Sequence, residues 1–112
     1  MIQTPKFQVY QGCDRKFHFR LKSTDQETLF VSEGFRTKAG AMRGIASLMH
    51  HARYQTSYYR RLNTNYRYYF VIKSRDGIVL GTSQLYDTRT DREAGMESVK
   101  RASQSCRVDD LT

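Results

Sequence analysis

Three histidines, two cysteines and a pair of aspartates near the end of the sequence are the side chains best equipped for chemistry, and their spacing assembles no recognisable catalytic site. His50 and His51 are adjacent, so on a helix they point in different directions and make a poor metal pair. An exposed helix end, where a histidine suits the dipole, accounts for them. Cys13 and Cys106 stand far apart with no second thiol near either, which gives neither a zinc spacing nor a redox pair. Free thiols are expected, with a single disulfide between them as the alternative. Nothing links His18 to a serine or cysteine nucleophile, and Asp109 and Asp110 read as a solvated edge strand rather than an acid/base pair. No phosphate-binding glycine loop of the P-loop or GxGxxG type is present. The expectation is a protein with no cofactor, no metal and no catalytic activity.

The chemistry in surplus is cationic and aromatic. The 112 residues carry 19 Lys+Arg against 11 Asp+Glu, a formal charge of +8, which invites a polyanionic partner or serves solubility alone. Between Arg53 and Lys73 the chain interleaves Arg53, Tyr54, Tyr58, Tyr59, Arg60, Arg61, Tyr66, Arg67, Tyr68, Tyr69 and Lys73 with no acidic residue. Cations contact phosphates and tyrosine rings stack on unpaired bases, so this mixture suits single-stranded nucleic acid. The candidate binding residues are His18, Arg20, Lys22, Arg53, Tyr58, Tyr59, Arg60, Arg61, Arg67, Tyr69 and Lys73. The ordinary structural reading is that tyrosine and arginine are good strand-surface residues and that some of these tyrosines fill the core. A protein partner is the competing reading, because the same residue types dominate interface hot spots and sheet edges accept added strands. A small acidic ligand is a distant third, with no pocket signature in the sequence.

The elements that must position these residues come in two copies. A gap-free offset of 51 over positions 17 to 48 pairs Phe19 with Phe70, Lys22 with Lys73, Ser23 with Ser74, Asp25 with Asp76, Leu29 with Leu80, Ser32 with Ser83, Thr37 with Thr88, Gly44 with Gly95 and Ser47 with Ser98. Each copy alternates apolar and polar residues at strand period, Phe17 to Lys22 and Tyr68 to Lys73, then turns at Ser23-Thr24-Asp25-Gln26 or Ser74-Arg75-Asp76-Gly77. The returning strands are Thr28 to Ser32 and Ile78 to Ser83, and a helix follows each, capped by Thr37 or Thr88. Ala41, Ile45, Leu48 and Ala52 share one stripe, as do Met96 and Val99. Gly44 and Gly95 recur inside the helices, which predicts a backbone packed too closely for a side chain. Lys6 to Gln11 and Ser57 to Leu62 read as the first strands, and Arg53 to Ser57 and Arg107 to Leu111 as closing strands.

Each unit is therefore β-β-β-α-β. A unit of this size buries too little apolar area alone, so the two, about 6-56 and 57-112, should share one mainly antiparallel sheet with both helices on one face, an α+β single domain. The opposite face would then present His18, Arg20, Lys22, Tyr69 and Lys73 as an open platform. No apolar run is long enough to span a membrane and the start lacks a signal-type stretch, so a cytoplasmic, membrane-free protein is expected, a monomer built as an internal pseudo-dimer.

Phe19-Arg20-Leu21-Lys22, Ser32-Glu33-Gly34-Phe35, Thr37-Lys38-Ala39-Gly40-Ala41 leading to Gly44-Ile45-Ala46-Ser47, and in the second copy Phe70 to Lys73, Thr82-Ser83-Gln84-Leu85-Tyr86 and Gly95 to Lys100, resemble the YegP-like family across nearly the whole chain. The resemblance implies one sheet built from the two units with their C-terminal strands exchanged. That family has no assigned activity, so it lends no catalytic or binding residue. The arginine- and tyrosine-rich join is where this sequence departs from the pattern.

Overall fold

A computed structural model describes residues 4–104 and 107–112 of the chain. Seven strands form one sheet: β1 (Lys6–Gln11), β2 (Phe17–Lys22), β3 (Thr28–Ser32), β4 (Tyr58–Leu62), β5 (Tyr68–Lys73), β6 (Val79–Ser83) and β7 (Val108–Asp110). Helices α1 (Lys38–His51) and α2 (Arg89–Ala102) pack on one side of it. The strand order is β4-β5-β6-β3-β2-β1-β7, so each repeat contributes three consecutive strands and the two meet at the β3–β6 pair. Every pairing is antiparallel except β1 with β7, which is parallel. In β7 the closing strand of the second repeat crosses to the first strand of the first.

Local chemistry explains the repetition. The Thr37 hydroxyl accepts from the Gly40 N–H at 2.9 Å and the Thr88 hydroxyl from the Asp91 N–H at 3.0 Å, so each helix begins with one otherwise unpaired amide satisfied. The buried Ser32 hydroxyl accepts from the Phe19 N–H at 2.9 Å and donates to the Glu33 carbonyl, and Ser83 does the same between Phe70 and Gln84. Both serines carry a strand amide past the point where the ladder ends. The helix stripes face the sheet as their spacing requires, with Ala41, Gly44, Ile45 and Leu48 buried on α1 and Met96 and Val99 on α2. A Cβ on Gly44 would lie 2.5 Å from the Phe35 ring, and one on Gly95 would collide with the Tyr86 ring, which confirms the close packing inferred from their recurrence.

The copies join through an unequal contact. Positions 30 and 81 are equivalent by the offset, and the two cannot both be large. Phe30 is fully buried, and a Cβ on Gly81 would lie 2.5 Å from its ring and strike the Val31 carbonyl oxygen. One ring from the first copy thus fills the space over a glycine of the second. A register shift at Leu21/Lys22 turns both Leu29 and Phe30 toward the core.

The expected closing strand at Arg53 to Ser57 does not form. Tyr54 N–H bonds to His51 C=O and Ser57 N–H to Tyr54 C=O, giving a turn and a single 3-10 turn at Gln55–Ser57 that runs directly into β4. The reason is positional: of residues 57 to 59, equivalent to β7, Tyr58 and Tyr59 already begin β4, and one segment cannot fill both places. The second returning strand begins at Val79, one residue later than its pattern, and Ile78 is exposed. Cys13 is an exposed free thiol, while Cys106, and with it the disulfide alternative, lies outside the described residues.

Candidate binding face

The side of the sheet away from the helices is uncovered. Cross-strand pairing runs Tyr59–Val71–Thr82–Val31–Arg20–Gln8–Asp109, one residue from each of the seven strands. Paired residues share a face, so this row crosses the whole open side. Around it lie Lys6, Tyr10, His18 and Lys22 from the first repeat and Arg61, Tyr69 and Lys73 from the second.

Strand alternation divides the candidates from the Tyr/Arg join. Tyr59, Arg61, Tyr69 and Lys73 fall on the open face, together with His18, Arg20 and Lys22. Tyr58 belongs to the core instead: it is 6% exposed, packs on Phe70 and donates its hydroxyl to the Ala52 carbonyl at 2.6 Å. Burial pushes its phenol well above the usual range. Arg60 turns to the helix side and pairs with Glu93 at 2.7 Å, holding that carboxyl below its ordinary value. Arg67 leaves the set too, since it pairs with Asp87 at 3.0 Å. Arg53 is exposed in the turn after α1.

Within the open face the two halves differ in what is already engaged. In the first, the Arg20 guanidinium donates to the Gln8 side chain at 2.8 Å and lies 4.6 Å over the Tyr10 ring, which in turn stacks on His18. The His18 Nε2 faces the Asp14 carboxylate at 3.2 Å and its Nδ1 faces the Ser32 carbonyl at 3.3 Å. Lys6 pairs with Asp109 at 3.2 Å. In the second, the Lys73 ammonium lies 4.6 Å and the Arg61 guanidinium 5.7 Å over the Tyr59 ring. Neither cation forms an ion pair among the described residues.

A hollow of about 300 Å³ continues this half at the end of α1, where Tyr54, Tyr59, Lys73, Arg75 and His50 line it with no carboxylate. His51 braces its wall, with Nδ1 against the Ser47 carbonyl at 2.8 Å and Nε2 receiving the Arg75 N–H at 3.4 Å. The rings of His50 and His51 stand perpendicular. Tyr54 belongs to the Tyr/Arg run, but no local pattern in the chain signals that Arg75 joins the site, because α1 reaches the β5–β6 turn only through folding. Among the described residues no cluster of three or more potential metal ligands occurs, and no helix is long and apolar enough to cross a membrane.

A family profile described as "Domain of unknown function (DUF1508)" matches the chain twice, over residues 14–58 and 63–110. The chain belongs to the DUF1508 family. The YegP protein of Shigella flexneri is 35% identical over 106 residues, covering 95% of this chain and 96% of that one, and YegP of Escherichia coli K12 is 34% identical over the same shares. The solution structure of Escherichia coli YegP, of unknown function, superposes with a TM-score of 0.92 at 33% identity, over 100% of this chain and 97% of that one. A UPF0339 protein of Shewanella oneidensis follows at a TM-score of 0.91 and 28% identity, over 98% and 93%. The tandem architecture is therefore that of the DUF1508 fold. The two profile matches divide the chain at residues 59–62, within β4, where the edge of the sheet carries Tyr59 and Arg61.

Proposed function

We infer that this DUF1508 protein is a binding module, without catalytic activity, that takes single-stranded nucleic acid on the second repeat's half of the open face. The observation that carries the reading is the Tyr59 ring with the Lys73 ammonium and the Arg61 guanidinium over it, two cations with no carboxylate partner among the described residues, on a half-face that continues into the hollow beside Arg75. An unpaired base that takes the place of a cation over Tyr59 stacks on its ring, and the long cationic side chains swing to the neighbouring phosphates. Tyr69 stands opposite Arg61 in the β4–β5 ladder and offers a second ring. A duplex keeps its bases stacked on each other and leaves these rings idle.

The test is a fluorescence-anisotropy titration with single-stranded RNA, single-stranded DNA and duplex over a range of salt. Single strands should bind more tightly than duplex near physiological salt. Tyr59→Ala should cost about 1–3 kcal/mol, the value of one stacked base. Each phosphate contact to a single strand contributes about 0.7 to the slope of log K against log salt, so Arg61→Ala with Lys73→Ala should lower it by about 1.4. Arg43→Ala with Arg101→Ala removes the same charge from exposed positions on the helix side and should leave discrimination between single strand and duplex unchanged. Equal losses for both pairs would mean that only net charge matters and would overturn the reading.

A further inference from the structure

Among the described residues β7 is the one strand without a counterpart. On its account β1 has a parallel neighbour on its outer side, while β4, the equivalent strand of the second repeat, is the opposite edge of the sheet and has none among the described residues. What holds β7 to β1 shows what the bare edge would accept. The Phe7 N–H donates to the Arg107 carbonyl at 2.9 Å and the Leu111 N–H to the Val9 carbonyl at 2.8 Å, so residues 7 and 9 point their backbone groups outward. Val108 packs against the core, Asp109 pairs with Lys6, and Asp110 pairs with Lys38, the first residue of α1.

The offset of 51 carries this arrangement to the other edge. Phe7 becomes Tyr58, Val9 becomes Arg60, Lys38 becomes Arg89 and Ala41 becomes Arg92. The outward backbone positions of β4 are thus Tyr58, Arg60 and Leu62. The Tyr58 N–H is already held by the Gln55 carbonyl, so an added ladder would begin at the Tyr58 carbonyl. A groove of about 530 Å³ runs between this edge and the start of α2, lined by Arg60, Arg61, Arg89 and Arg92 against the single carboxylate of Glu93. Glu93 pairs with Arg60 at 2.7 Å and lies 3.6 Å from Arg92, which leaves Arg61 and Arg89 without an ion pair among the described residues. Where the first repeat has Lys38 met by Asp110, the second has four arginines met by the one carboxylate of Glu93 among the described residues.

We propose that the outer edge of β4 binds an extended acidic segment of another protein, added parallel as an eighth strand in the place that β7 takes on β1. Backbone hydrogen bonds at alternate residues of β4 supply affinity, and acidic side chains that reach Arg89 and Arg61 supply selectivity. This surface lies on the edge and helix side; it shares Arg61 with the open face but lies apart from Tyr59, Tyr69 and Lys73, and the proposal does not rest on nucleic-acid binding. A second copy is the poorer occupant, because its β7 would first have to leave Lys6 and Lys38 of its own chain.

The probe is the N-acetylated peptide Arg-Val-Asp-Asp-Leu-Thr, residues 107–112, titrated into the isotope-labelled full chain and followed by amide chemical shifts. Shifts should concentrate at residues 58–62 and 89–93, with amide exchange slowed at Arg60 and Leu62. The same peptide with lysine at both acidic positions should bind about tenfold more weakly or worse. Arg60→Pro removes an outward N–H without touching the β5 ladder and should abolish the shifts, and Arg89→Glu should weaken them with the fold intact. Shifts centred on β1, showing exchange with β7, would overturn the proposal, as would a doubled mass in sedimentation through β4 pairing. The absence of any shift would also overturn it, and would assign the arginines to keeping a bare edge from pairing.

Discussion

The first repeat lays Gln8, Tyr10, His18 and Arg20 on the open face, and the second lays Tyr59, Arg61, Tyr69 and Val71 at the same positions. The first set is occupied with itself: Arg20 on Gln8 and Tyr10, Tyr10 on His18, His18 on Asp14. In the second set Arg61, with Lys73 beside the set, lies over Tyr59, and neither cation has a carboxylate partner among the described residues. On the helix side, by contrast, the copies agree closely, each with a threonine cap, a glycine under an aromatic ring and a buried serine on a strand amide. Duplicated units diverge where a neighbour no longer constrains them. Burial holds most of the two cores to one solution, with Phe30 against Gly81 and Ala41 against Arg92 as the departures, while the open face and the outer edges answer to solvent and partners.

The sharpest break of the equivalence is at positions 30 and 81. Phe30→Ala empties the space over Gly81 and should cost about 3–5 kcal/mol in denaturant unfolding. Gly81→Ala pushes a methyl group against Phe30 and the Val31 carbonyl and should cost about 1–3 kcal/mol or more, with the double variant costing less than the sum because both act on one space. Simple additivity would show that the two sites do not share it. The buried serines sharpen the opposite side of the comparison. Ser32→Ala and Ser83→Ala each strand a buried amide and should each cost about 1–3 kcal/mol. Costs that differ by the whole of that range would mean that the copies are not equivalent where they look most alike.

Much of the fold is legible in the sequence, for a physical reason. Strand alternation, turn residues, caps and helix stripes are local, and the offset doubles every signal, so the recurrence of Gly44 and Gly95 by itself marks two close contacts. The choice of face is legible for His18, Arg20, Lys22, Tyr69 and Lys73. It is not for the join, where Tyr58 and Arg60 sit beside Tyr59 and Arg61 in an unbroken polar-aromatic run with no apolar alternation to set the phase. Arg92 hides in the same way: it replaces Ala41 on the buried stripe, donates to the Arg61 carbonyl at 3.2 Å and lies 5.2 Å over the Tyr68 ring. Only the offset points to its burial. The failed strand at Arg53 to Ser57 follows from connectivity, since the closing strand of one unit and the opening strand of the next need the same residues.

Two smaller effects separate the copies further. Lys38 first and Thr112 next hold the Asp110 carboxyl down at about 2, and Lys6 lowers Asp109. Because these values lie below the unfolded ones, the clasp is complete above the ordinary carboxylate value of 3.8 and weakens as pH falls toward about 2. Amides of β7 should lose exchange protection over that window while those of β5 keep theirs; retention in β7 would show that the ladder alone holds it. At the turns, Gln26 sits at φ 63 where the second copy has Gly77 at φ 81. Gln26→Gly should therefore raise stability by up to about 1 kcal/mol, and Gly77→Gln should lower it by a similar amount.

The most direct measurement sets one half of the open face against the other. A variant with Tyr59, Arg61 and Tyr69 changed to alanine and a variant with Gln8, Tyr10 and His18 changed to alanine alter the same three sheet positions in each copy. Both would be titrated with single-stranded RNA at physiological salt by fluorescence anisotropy. A stacking platform confined to the second repeat requires at least a tenfold loss, about 1.4 kcal/mol, for the second-repeat variant and a change within about twofold for the first-repeat variant. Equal losses, or the larger loss in the first repeat, would contradict it.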